Sequence, residues 1–200
     1  MLSLFLKEGH VHHLRRVHTT ECASCVRTVE RLTPSVTLIE VENVEGWPGL
    51  FYYRVGKKDV ILPLEILCDE RGIFQSCSYM LSNQVVVEAP QEVTQAHALP
   101  VKPGRPGFDL SDWPPGMEGF RFSDYKADEV AYFMGSSLLV CFAGMPASPV
   151  EWLYVAPSLH MAFDQDGRLT SVLFPNLSDE EIERIQCRAG LDPGQTCLSS

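Results

Sequence analysis

The chain has 200 residues, enough for one large domain or two small ones at roughly 100–150 residues each. Its composition, 45% hydrophobic, 21% charged and 10% aromatic, excludes a disordered chain, a collagen-like repeat and a coiled coil. Sixteen Lys and Arg stand against 26 Asp and Glu, a formal net charge of −10, and a surface of that sign repels phosphate backbones and anionic bilayers.

No apolar run approaches the roughly 20 residues needed to span a bilayer. The opening Leu2-Ser-Leu-Phe-Leu6 is cut off by Lys7 and Glu8 and is too short for a signal-peptide core. A soluble, cytoplasmic protein that binds neither nucleic acid nor membrane is expected. Residues 1–34 carry a net charge of +2 and the remainder −12, so the acidic body suits a basic protein partner. The seven cysteines (Cys22, Cys25, Cys68, Cys77, Cys141, Cys187 and Cys197) are odd in number and scattered. They read as reduced thiols packed as small hydrophobes.

In chain order, residues 20–32 read as a helix: Thr19 or Thr20 caps it, Pro34 stops it, and Cys22, Cys25, Val26, Val29 and Leu32 recur on one face. Strand-like segments follow at Val36–Glu42, Leu50–Val55, Val60–Cys68, Ile73–Met80 and Gln84–Glu88, bounded by turn signals such as Gly56 and Gly72. The proline- and glycine-rich stretch 100–119 opposes helix and central strand and reads as a linker or long ordered loop. Strands resume at Phe120–Phe122, Glu129–Met134, Leu138–Phe142, Glu151–Val155, Leu159–Asp164 and Leu169–Phe174. A C-terminal helix opens with a Ser178/Glu181 capping box and a Leu177/Ile182 hydrophobic staple. Ile182, Ile185 and Ala189 form its buried stripe and Gly190 its stop.

Residues 64–76 lie over residues 159–171 at a constant offset of 95, with Leu, Asp, Gly and Ser identical. Both read as strand, D-x-x-G turn, strand. Turn chemistry alone can impose Asp and Gly. The linker between the copies favours an internal duplication. The expected fold is α+β, mainly antiparallel sheet in two similar halves, with an N-terminal and a C-terminal helix. The halves are 1–97 and 119–200, joined by 98–118.

Candidate chemistry is sparse. His10, His12, His13 and His18 precede Cys22-Ala-Ser-Cys25, and a tetrahedral zinc site is one reading. The spacing lacks a second C-x-x-C or H-x-x-x-H, so two core thiols beside a basic edge are expected, with no metal and no cofactor. Asp164-Gln-Asp166-Gly167 lacks the later Gly and closing Glu of a calcium loop and reads as a hairpin turn. Gly135-Ser136-Ser137 lacks the second glycine of a nucleophile elbow. His160 alternates with Leu159 and Met161 and is expected on the opposite side of a strand. No catalytic residue is assigned, although a cysteine nucleophile would meet its partners only in space.

Between Asp109 and Val130 there are six acids and two bases around Trp113. Aromatic anchors rimmed by charge suit a protein interface. The candidate partner-binding residues are Asp109, Asp112, Trp113, Glu118, Asp124, Asp128 and Glu129. The competing reading is that Trp113, like Trp47 in Glu45-Gly-Trp-Pro-Gly, pins its own loop to the core.

The run Asp124-Tyr-Lys-Ala-Asp-Glu-Val-Ala-Tyr-Phe133, followed by Leu159-His-Met-Ala-Phe-Asp-Gln-Asp-Gly-Arg-Leu-Thr-Ser-Val-Leu-Phe174, resembles a small bacterial β-meander family of unknown function. In that family a D-ADALYI strand precedes a D-x-D-G-R-L-x-G-I-E hairpin; here Ser171 stands where the hairpin has Gly. The resemblance covers the second half. The whole is similar in style to bacterial immunity proteins of toxin-delivery systems, which are acidic, cytosolic and β-rich. That similarity implies a binding protein, not an enzyme, that occludes a cognate basic toxin such as a nuclease; a homodimer is compatible with it. The alternative is a metal- or small-ligand-binding protein, or an enzyme, using the N-terminal His/Cys cluster.

Overall fold

The computed structural model describes residues 13–45, 51–56, 63–82, 86–111, 113, 121–143 and 150–186. The first half carries β1 (Arg16–Thr20), β2 (Cys25–Thr33), β3 (Val36–Asn43), β4 (Phe51–Gly56), β5 (Leu64–Cys68), β6 (Phe74–Ser82), β7 (Val87–Glu88) and α1 (Gln91–Ala96). Then come β8 (Val101–Pro103), β9 (Arg105–Phe108), β10 (Arg121–Lys126), β11 (Asp128–Met134), β12 (Ser137–Ala143), β13 (Glu151–Ala156), β14 (Leu159–Phe163), β15 (Leu169–Phe174) and α2 (Asp179–Gln186). The expected antiparallel sheet and C-terminal helix are present.

The N-terminal helix is not. Residues 25–33 form β2, which pairs antiparallel with β3 from Cys25↔Asn43 to Thr33↔Val36. Pro34 and Ser35 turn the hairpin rather than stop a helix. Val26, Thr28, Val29 and Thr33 are β-branched and fit a pleated surface. The face that matters has a period of two: Cys25, Arg27 and Val29 turn inward while Val26, Thr28 and Glu30 are exposed. Cys22 is exposed and Cys25 half-buried, so neither is the core helical thiol expected.

Two sheets enclose the core. The first runs β10-β4-β5-β6-β3-β2 and the second β7-β11-β12-β15-β14-β13-β8. Alternate residues of both inner faces, among them Ile39, Tyr53, Ile66 and Tyr79 from one and Leu138, Leu153, Met161 and Phe174 from the other, fall in one buried cluster. Period-two apolar alternation is the signature of sheets packed on one face.

The central strands run in matching order, β4-β5-β6-β3-β2 against β13-β14-β15-β12-β11. The two D-x-x-G turns join β5 to β6 and β14 to β15. Asp69 Oδ1 accepts the backbone N–H of Arg71 and Ile73, both at 2.9 Å. Asp164 Oδ1 accepts those of Asp166 and Arg168 at 2.9 and 2.8 Å. Gly72 and Gly167 follow at φ +79° and +75°, the left-handed region open to glycine.

Composition misjudged the linker. Residues 101–108 carry β8 and β9, Pro106 being tolerated in the short β1–β9 ribbon. The ribbon spans both turns: Arg16 N donates to Gly167 O at 2.8 Å and Phe108 N to Gly72 O at 2.9 Å. Nor do the sheets divide at 98–118. β10 pairs parallel with β4 in the first sheet, while β7 and β8 pair parallel with β11 and β13 in the second. α2, which follows β15 of the second sheet, docks on β2 of the first, where Arg184 Nη1 donates to Val29 O at 2.7 Å.

Its capping box is formed as expected: Ser178 N donates to Glu181 Oε2 at 2.7 Å and Glu181 N to Ser178 Oγ at 3.2 Å. Leu177 is buried, and Ile182 and Ile185 pack on the main core. Ala189 and Gly190 lie outside the described residues, as do Leu50, Val60 and Gln84 at the ends of expected strands. Among the described residues no helix is long and apolar enough to cross a membrane.

Candidate protein-binding face

The outward residues of the first sheet form rows across all six strands. One row reads Thr28, Glu40, Ser78, Glu65, Arg54 and Asp124. The next reads Val26, Glu42, Ser76, Leu67, Tyr52 and Phe122. With strands about 4.8 Å apart the face is roughly 24 Å wide. Val26 and Phe122 are 56% and 43% exposed, so the sheet is open to solvent at both edges.

Charge on this face is one-sided. Glu30, Glu40, Glu42, Glu65 and Asp124 point outward with Arg54. Arg54 is committed to Asp124 by two hydrogen bonds, of 2.7 and 3.0 Å, and its guanidinium lies 4.6 Å from the Phe122 ring centroid. Tyr52 stacks on Phe122 with ring centroids 5.0 Å apart. Among the described residues, the glutamates on the β2–β3 side have no such partner row. Burial pushes the Glu40 carboxyl above its ordinary range, and Glu42, Glu30 and Glu65 push it further. Burial also raises Glu65, opposed by Arg54. Crowded, partly buried carboxylates carry a penalty for ionising that an arriving cation relieves.

The residues expected to bind a partner do not share one surface. Of the described ones, only Asp124 stands on this face. Asp109 accepts the Ser111 N–H at 3.0 Å and shapes a turn, and those Ser111 hydrogen bonds hold its carboxyl low. Trp113 is buried, its ring edge-on to Phe51 at 5.3 Å, and it pins its loop to the core. Asp128 is exposed on the outer side of β11, and Glu129 is half-buried on the other side of that strand. Asp112, Glu118 and Trp47 lie outside the described residues. The glutamates of the sheet were missed because acids on strands read as ordinary polar positions. The alternating Ile39-Glu40-Val41-Glu42 is the signal that marks them.

The N-terminal cluster is dispersed. His10 and His12 lie outside the described residues. His13 packs on Tyr125 at 5.0 Å, and burial lowers its basicity, with Arg168 adding to the effect. His18 is exposed on β1. The Cys22 thiol reaches Tyr154 O at 3.5 Å, and burial pushes the Cys25 thiol up to about 11. Among the described residues no three His, Cys, Asp or Glu side chains gather to hold a metal. His160 stands on the outer side of β14 beside Tyr154, ring centroids 5.2 Å apart, as its alternation predicts.

No protein-family model matches the chain, and no curated protein is similar to it.

Proposed function

We infer that the protein binds a basic protein partner on the open outer face of its six-stranded sheet, as a cytoplasmic immunity-type inhibitor that occludes a cognate toxin. One observation carries the reading: among the described side chains, five outward acids stand against one arginine, interleaved with Tyr52, Phe122, Leu67 and Val26, on a sheet face that no described element covers. The outer face of the second sheet differs. There Leu139, Trp152 and Ala162 are buried beneath Val93 and Leu99, which flank and form α1. A specific interface needs on the order of 800 Å² from each partner, with apolar anchors inside a charged rim. The first sheet sets a row of apolar residues beside its acids, and those acids disfavour nucleic acid as the ligand.

The test asks whether a basic protein is encoded beside this gene and measures the binding of that product to wild-type protein and to a Glu40→Gln/Glu42→Gln/Glu65→Gln variant across a salt series. Association by the variant is expected to be at least about tenfold slower at low salt and to converge at high salt. Equal rates at every salt concentration, or a neighbouring product with no affinity, would overturn the reading.

The two halves are read as copies of one five-stranded unit. The shared strand order and the equivalent Asp/Gly turns support an internal duplication in which each copy lends its ends to the other's sheet.

A further inference from the structure

Cys141 on β12, Ser171 on β15 and His97 just beyond α1 meet on the outer side of the second sheet. His97 Nδ1 lies 2.8 Å from Val93 O. A carbonyl only accepts, so Nδ1 carries the proton and Nε2 is left as a base. Nε2 stands 3.2 Å from Ser171 Oγ and 3.7 Å from Cys141 Sγ. Trp152 Nε1 donates to His97 O at 3.1 Å, and the two rings lie 5.7 Å apart, so the imidazole is held from both sides. A nucleophile beside a base that a third group orients is the arrangement of covalent catalysis.

We propose that Cys141 is a nucleophile served by His97, taking the acyl group of a small uncharged ester or thioester. The surroundings set the substrate class. Leu139, Trp152 and Ala162 are buried there, with Val93, Leu99 and Met134 half-buried around them. Burial raises the thiol and lowers the imidazole, and no charged neighbour contributes to either shift. The resting pair is therefore neutral, and the proton moves only during attack. The Sγ–H proton passes to Nε2 as the Sγ–C bond forms. The ester C–O bond breaks, and the leaving oxygen takes that proton. Water then hydrolyses the thioester, returning the thiol and releasing the acid. α1, which leads directly into His97, is a helix of six residues with no buried side chain and no side-chain cap.

The probe is p-nitrophenyl acetate, with acetylation of each cysteine followed by peptide mass spectrometry. The exposed Cys22 is the internal reference. On wild-type protein Cys141 is expected to acquire acetyl at a rate that changes less than about twofold from pH 7 to 8, because neutral His97 accepts the proton. A free small-molecule thiol such as N-acetylcysteine, run in parallel, should quicken about tenfold over the same unit because only its thiolate attacks. His97→Gln is expected to slow Cys141 at least tenfold and leave Cys22 unchanged. Failure of Cys141 to acetylate while Cys22 does, or a Cys141 rate that climbs with pH like that of the free thiol, would overturn the proposal. The second readout needs no variant to fold.

Discussion

Arg27 on β2 grips Glu181 on α2 through two hydrogen bonds of 2.8 Å, and its remaining N–H groups reach the carbonyls of Pro175 and Asn176 at 2.6 and 3.0 Å. The end of the second half is thereby fastened to the edge of the first sheet. Burial alone would raise the Glu181 carboxyl; the Arg27 and Ser178 hydrogen bonds outweigh it and hold it below its ordinary range. An acid lowered in the folded state stabilises above its unfolded pKa, near 4, and that contribution fades as pH falls through the folded value. Arg27→Met should cost about 1–2 kcal/mol at pH 7 by urea unfolding, and the loss should shrink below pH 4.

Glu40 has the opposite sign. Its carboxyl is raised by burial and by three neighbouring glutamates, so the charged form is penalised in the folded protein at neutral pH. Glu40→Gln should raise stability at pH 7 by less than about 1 kcal/mol, with the gain vanishing in acid where Glu40 is already neutral. The same change should weaken partner binding. Stability gained with binding lost marks a position kept for function.

Trp113 is a structural residue. Its truncation to Ala should cost about 3 kcal/mol of folding stability through the cavity left against Phe51. Urea titration measures that loss. Partner affinity, measured at a temperature where the variant stays folded, should change less than about threefold.

The two turn glycines should rank by the space around them. A methyl group at Gly72 would strike the Phe108 carbonyl oxygen, whereas at Gly167 it would stand 3.0 Å from the Arg16 carbonyl oxygen. Both pay the left-handed backbone cost of about 1 kcal/mol. Gly72→Ala should therefore lower the thermal midpoint more than Gly167→Ala, because only the former must push β9 away.

Most strands were readable because β-branched and aromatic residues alternate between turn signals, as in Val36-Thr-Leu-Ile-Glu-Val41. The capping box at Ser178 was readable because both partners lie within one turn of the chain. Residues 20–32 were misread because Cys22, Cys25, Val29 and Leu32 satisfy a helical period while β3, which settles the matter, is a separate segment. The proposed binding face could not be read: an outward Glu40 matters only once the described elements are seen to leave that side of the sheet open. His97, Cys141 and Ser171 are likewise brought together by pairing of β12 with β15 and by the return of α1. None of these follows from local spacing.

The exchange of ends between the halves has a consequence during synthesis. β4 waits for residues 121–126 to supply its parallel neighbour, and β2 waits for residues 179–186 to supply its helix. A nascent chain that has only its first half outside the ribosome therefore presents a bare β4 edge, a template for any strand that fits it. The strand that fits best is the Arg121–Lys126 segment of another copy. The first sheet can be completed only after residues 121–126 have been made.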